Sequence, residues 1–145
     1  MFKQSLTALA VASLSLSAVA QEPNIEPGMW ETTSTVSLNI PNMPEGSMPP
    51  QTQTESNCIT PEDIRDGEAF LSDNEECEVA DKDISADGMS FTMTCPSPDG
   101  SSMTMNADMS FDGDTMTGTV DGQMDSAMGS MTMSVEISGK RTGDC

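Results

Sequence analysis

The stretch Met103-Thr104-Met105-Asn106-Ala107-Asp108-Met109-Ser110-Phe111-Asp112-Gly113-Asp114-Thr115-Met116-Thr117-Gly118-Thr119-Val120 decides the fold. Apolar and polar residues alternate on both sides of Asp112-Gly113, a dipeptide that supplies the positive φ angles of a tight hairpin turn. A two-residue turn centred there sets Phe111 opposite Asp114, Met109 opposite Met116, Ala107 opposite Gly118 and Met105 opposite Val120. One face of the hairpin is then apolar, and the other carries Thr, Asn, Asp and Ser.

Outward from this hairpin the same signals repeat. Asp-Gly recurs at 87–88, 99–100 and 121–122, each read as a turn, and a turn on Asp87-Gly88 sets Phe91 opposite Ile84 and Met89 opposite Ala86. The last strand, Met131 to Ile137, alternates without a break. Upstream, Met29 to Ile40 reads as a strand rich in β-branched residues, and Gln51 to Cys58 as a mostly polar strand at a sheet edge. Between them Pro41, Pro44, Pro49 and Pro50 forbid a hydrogen-bonded ladder. Thr60-Pro61-Glu62-Asp63 starts a helix: Thr60 caps it, proline suits the first position, and the acids complement the positive dipole end. The helix runs to about Leu71 and is weakened by Gly67. The expectation is a mainly β fold, an antiparallel meander of about 6–8 strands curled into a partial barrel or sandwich, with one short helix near 60–71.

Residues 1–20 read as a secretory signal peptide. Lys3 precedes an uncharged Ser/Leu/Ala/Val run from Ser5 to Val19, and Ala18-Val19-Ala20 is the small-x-small pattern that signal peptidase cuts, here between Ala20 and Gln21. The apolar run is too short to span a bilayer stably, and no later stretch is long enough. Residues 21–145 are enough for one domain, periplasmic or secreted. The chain has 24 acidic and five basic residues, and Lys3 leaves with the leader, so the remainder carries a net charge of −20. Nucleic acid and anionic lipid both require clustered Lys and Arg, so neither is an expected partner.

Cys58, Cys77, Cys95 and Cys145 are four cysteines in an oxidising compartment, which reads as two disulfides with three connectivities open. Zinc is disfavoured by the absence of histidine and of any C-x-x-C pair. Cys58–Cys77 around the helix and Cys95–Cys145 at the chain end are the preferred pairs. In the Asp87-Gly88 register Cys77 faces residue 98, three places from Cys95, which argues against Cys77–Cys95.

With no His, no Tyr and no free Cys, acid–base and nucleophilic chemistry have no evident carriers, and the chain is read as non-enzymatic, without a cofactor. Lys140-Arg141 balance local acids. Methionine is the unusual choice: of 14, all but Met1 follow the leader, against a single Trp. Trp30, Met89, Phe91, Met93, Met103, Met105, Met109, Met131 and Met133 fall on the apolar face, where flexible thioether side chains suit loose binding of a small apolar molecule or an envelope component. Plain core packing accounts for the same pattern. Two other functional readings stand beside it. One is metal handling, with copper(I) on Met103-x-Met105, Met131-x-Met133 and Met89-x-x-x-Met93, or calcium on acidic loops such as Asp81 to Gly88, although that loop fails the EF-hand spacing. The other is a structural protein that interacts within the envelope.

Three segments also carry a resemblance: Pro27-Gly28-Met29-Trp30-Glu31, Cys58-Ile59-Thr60-Pro61-Glu62, and Gly139-Lys140-Arg141-Thr142-Gly143-Asp144-Cys145. Together they resemble the secreted proteobacterial family known as domain of unknown function 3617. The resemblance covers nearly all of the chain after the leader. It implies a periplasmic or secreted location and a stapled β domain, and it brings no activity, ligand or catalytic residue. The load of Met and Asp departs from the family pattern.

Overall fold

The computed structural model describes residues 22–66, 76–126 and 129–145. The expected signal peptide and its expected cleavage point, and the part of the expected helix beyond residue 66, lie outside them. Seven antiparallel strands form one sheet: β1 (Gly28–Asn39), β2 (Gln51–Ile59), β3 (Glu78–Ile84), β4 (Gly88–Pro96), β5 (Ser102–Asp112), β6 (Thr115–Ser126) and β7 (Gly129–Gly143). Among the described residues a single helix, α1 (Pro61–Asp66), follows β2. The strand order is β2-β1-β7-β6-β5-β4-β3, so five consecutive strands form a meander and β1 inserts between β2 and β7. Side chains of β2 and β4, with four strands between them, line one cavity, which requires the sheet to curl. It is an open, partly rolled sheet that does not close, with β2 and β3 as its edges.

Alternation sorts the side chains. Trp30, Phe91, Met109, Met116, Val120 and Ile137 face the concave side, whereas the convex side is hydroxyl-rich. On that outer face Thr33 pairs with Thr54 (3.0 Å), Thr35 with Thr52 (3.1 Å), and Thr92 donates to Asn106 (3.0 Å). The core lies towards one end of the concave face. Trp30 is fully buried, Met89, Phe91, Met109, Phe111 and Met116 surround it in one cluster, and Ile64 of α1 and Ile25 cap it. The indole N–H of Trp30 donates to the Glu26 carbonyl at 2.9 Å, so the large ring is buried without an unsatisfied donor.

The hairpins keep their predicted faces but shift in register. The β5–β6 turn sits one residue later than expected, pairing Phe111 with Met116, Met109 with Gly118 and Ala107 with Val120. Every cross-strand partner therefore moves by two places, an even shift that leaves each side chain on its face. The β3–β4 turn spans Ser85 to Gly88, with Ile84 opposite Met89, and the Ser85 hydroxyl accepts from the Gly88 amide at 3.2 Å. Gly100 and Gly113 do adopt positive φ in turns (84° and 67°). Asp121-Gly122 is no turn: it lies inside β6, where Gly122 pairs with Met105 on one side and Met133 on the other. The thioether side chains fill the missing Cβ position there, with Met133 Cε 3.3 Å and Met105 Cγ 3.5 Å from where it would stand.

The expected disulfide pairing is also corrected. The bridges are Cys58–Cys145 and Cys77–Cys95. Cys58–Cys77 does not form: Cys58, on the edge strand β2, is bonded to the chain end, and Cys77, before the other edge strand β3, is bonded to Cys95 of β4. Cys95–Cys145 fails for a related reason: Gly143 and Cys58 flank Met29 of β1 on its two sides, so the end of the chain crosses one strand to reach Cys58. The register argument against Cys77–Cys95 assumed a regular ladder. Asp81 and Lys82 form a β-bulge, with Asp81 at φ 51°, which together with the longer turn brings Cys77 beside Cys95. Each bridge thus anchors one edge strand.

Candidate functional site

On the inner face lies an open groove of about 530 Å³. Alternate residues of four central strands build its floor: Phe91 and Ala107 pair across β4 and β5, Met109 and Met116 come from neighbouring strands, and Val120 and Ile137 extend it through β6 and β7. Trp30 closes one end. The edge strand β2 makes a polar wall with Gln53, Glu55 and Asn57, which lie opposite Ser34, Thr32 and Trp30 of β1. A volume within the usual range for small-molecule pockets, an apolar floor and one row of hydrogen-bonding groups suit an amphiphile with a polar end.

Helix α1 frames the rim through Asp63. The Asp63 amide donates to the Thr60 hydroxyl (3.2 Å), and the Thr60 amide (2.8 Å) and hydroxyl (2.6 Å) donate to the Asp63 carboxylate, a reciprocal cap of the kind the Thr-Pro-Glu-Asp run predicts. The Thr60 hydroxyl first, and its amide second, hold the Asp63 carboxyl below the ordinary aspartate range. Ser101 does the same for Asp99 in the β4–β5 turn, through its hydroxyl and then its amide.

Of the residues placed on the ligand face from sequence, Trp30, Phe91 and Met109 line the groove. Met89 and Met93 are buried core beneath β3 and β4, at 2 and 6 % exposure. Met103, Met105, Met131 and Met133 are on the same face, half-buried and towards its other end. Sequence reading missed Met116, Val120 and Ala107 as lining residues, although the alternation that places Met109 places them too. It also missed the wall of Gln53, Glu55 and Asn57, whose position depends on which strand β2 joins. Arg141 ties down the chain end, donating to the Pro27 carbonyl (2.9 Å) and pairing with Asp144 and, at 4.0 Å, with Glu26. Among the described residues no three His, Cys, Asp or Glu side chains converge in a metal-binding group. Nor is any described helix long and apolar enough to cross a membrane.

These features define a class: a small single-sheet β domain, stapled at both edges, with an apolar concave face. More particularly, the chain belongs to the family described as protein of unknown function DUF3617, whose family model matches residues 25–145. No curated protein matches the chain. No solved structure matches it either.

Proposed function

We propose that this protein is a non-enzymatic, exported β domain that holds a small apolar or amphiphilic molecule of the cell envelope in its concave groove. The observation that carries the reading is the groove itself, about 530 Å³ with a floor of Trp30, Phe91, Met109, Met116, Val120 and Ile137 and a polar wall on β2. Methionine side chains adapt to differently shaped ligands. Two disulfides support the export reading, since such bridges persist in oxidising compartments. Protein from the periplasmic fraction is expected to begin at Gln21, which intact-mass measurement checks.

Trp30 is the only tryptophan and lines the groove, so its emission reports occupancy directly. Titration with a long-chain fatty acid is expected to shift that emission, and native mass spectrometry of protein from its own host is expected to show a co-purifying mass. Ala107→Phe fills the floor and should abolish both signals while the melting transition remains cooperative. An unchanged Trp30 spectrum together with no retained mass would overturn the proposal.

A further inference from the structure

Five methionines on the inner face lie outside the groove, and of them only Met105 packs against the buried core. β5 pairs Met103 with Met124 of β6, and β6 pairs Met124 with Met131 of β7, so three thioethers stand in one row across three adjacent strands. In the next row Met105 and Met133 flank Gly122. Because Gly122 has no Cβ, both reach over it, two residues along the same strand faces from the first row. All five are half-buried, in contrast to the core methionines Met89, Met93, Met109 and Met116 at 2–6 % exposure.

We propose that this cluster is a binding site for a soft monovalent cation, copper(I) in particular, with Met103, Met124 and Met131 as the primary ligands and Met105 and Met133 as the second row. Thioether sulfur prefers soft ions over the hard cations that carboxylates take. Neighbouring strands are about 4.8 Å apart, so flexible side chains directly opposite one another bring their sulfurs onto a common ion without moving the backbone. Thioethers are neutral and leave the ion's charge uncompensated locally, and a chain of net charge −19 supplies a field that attracts a cation. The absence of histidine and the locking of all four cysteines in bridges leave thioether as the only soft donor. The sequence pairs Met103-x-Met105 and Met131-x-Met133 lie within the cluster, but Met124 is the member that joins them, and only the register reveals it. The inference stands independently of the apolar-ligand reading, which uses the opposite end of the face.

Silver(I) is the suitable probe because it is soft, monovalent and needs no reductant, so the disulfides stay closed. The full chain, expressed with its own leader and carrying methyl-¹³C methionine, is titrated with silver nitrate in chloride-free buffer. Stoichiometric shifts are expected in the methyl signals of Met103, Met105, Met124, Met131 and Met133, with none in the core residues Met89 and Met116 or the exposed loop residue Met43. Met124→Leu keeps volume and apolarity and should leave the melting temperature in place. It should weaken silver(I), and copper(I) measured by chelator competition, by about 10-fold or more, the loss known even for removal of an outer-shell partner of a metal ligand. Three results would each overturn the site: no methyl shift at one equivalent, a shift of Met43 equal to that of the cluster, or unchanged affinity in Met124→Leu and Met131→Leu.

Discussion

Removing the two disulfides separately should cost different amounts, and loop length says by how much. Cys58–Cys145 spans 87 residues and Cys77–Cys95 spans 18. In the chain-entropy treatment a bridge restricts the unfolded ensemble more when it closes a longer loop, giving roughly 4.6 kcal/mol for the first and roughly 3.2 kcal/mol for the second at 25 °C. The folded sheet sets the other side of the comparison. Each bridge anchors an edge strand, β2 or β3; Cys77 and Cys95 also pack against the buried Trp30 cluster, whereas Cys58 and Cys145 are not among the residues that do. The unfolded chain thus contributes a difference of about 1.4 kcal/mol, from which the packing that Cys77→Ala and Cys95→Ala remove from the core subtracts. Urea unfolding of Cys58→Ala/Cys145→Ala and Cys77→Ala/Cys95→Ala, followed by Trp30 fluorescence, measures it. The long-range variant should have the lower midpoint and the larger m-value, because its unfolded state expands and exposes more surface. Equal midpoints, or a lower midpoint for the Cys77–Cys95 variant, would refute loop entropy as the source of the stabilisation.

Other consequences are as direct. Gly118→Val should destabilise by about 1–3 kcal/mol in thermal melts, because a Cβ there would stand 2.1 Å from the Met109 sulfur and 2.9 Å from the Asp108 carbonyl oxygen. Trp30→Ala should cost about 3–5 kcal/mol by denaturant titration, the range for an aromatic removed from a core, since its ring is fully buried and its N–H is paired. Acid should loosen α1 before the sheet. The Asp63 carboxyl is held below its ordinary value of 3.8, so its stabilising contribution is complete above that value and is lost as the pH falls through the depressed one. Amide exchange at Ile64, whose N–H bonds the Thr60 carbonyl at 3.2 Å, should accelerate in that window, and Asp63→Asn should flatten the dependence.

The residues that show their role in the sequence are those governed by period two. Met105, Ala107, Met109 and Phe111 occupy the inner face because alternation fixes the face whatever the partner, and an error of two residues in register leaves it unchanged. Thr60 and Asp63 are equally legible, since a helix cap is chemistry within four residues. What alternation leaves open is neighbourhood. Asp-Gly permits a turn and does not require one. At 121–122 the alternation of Val120, Gly122 and Met124 continues, and Met105 and Met133 use the space that glycine leaves. The cysteine partners depend on two non-local facts, the separation of β2 from β3 by the whole width of the sheet and a bulge at Asp81 and Lys82. The polar wall of the groove was hidden for the same reason: Gln53, Glu55 and Asn57 acquire meaning only when β2 joins β1 beyond β7.

The nesting of one disulfide inside the other in chain order bears on how the molecule is made. A chain oxidised as it emerges N-terminus first presents Cys58 and then Cys77 before the native partner of either has arrived, so the first bridge within reach joins two cysteines that belong to different native bridges. Cys95 can resolve that error, since it follows Cys77 by 18 residues, whereas Cys58 must stay reduced, or be reopened, until β7 has been laid against β1. Production of this domain is therefore expected to need thiol exchange as well as oxidation, and a host rich in oxidant but poor in disulfide isomerase is expected to accumulate chains that lack the Cys58–Cys145 bridge.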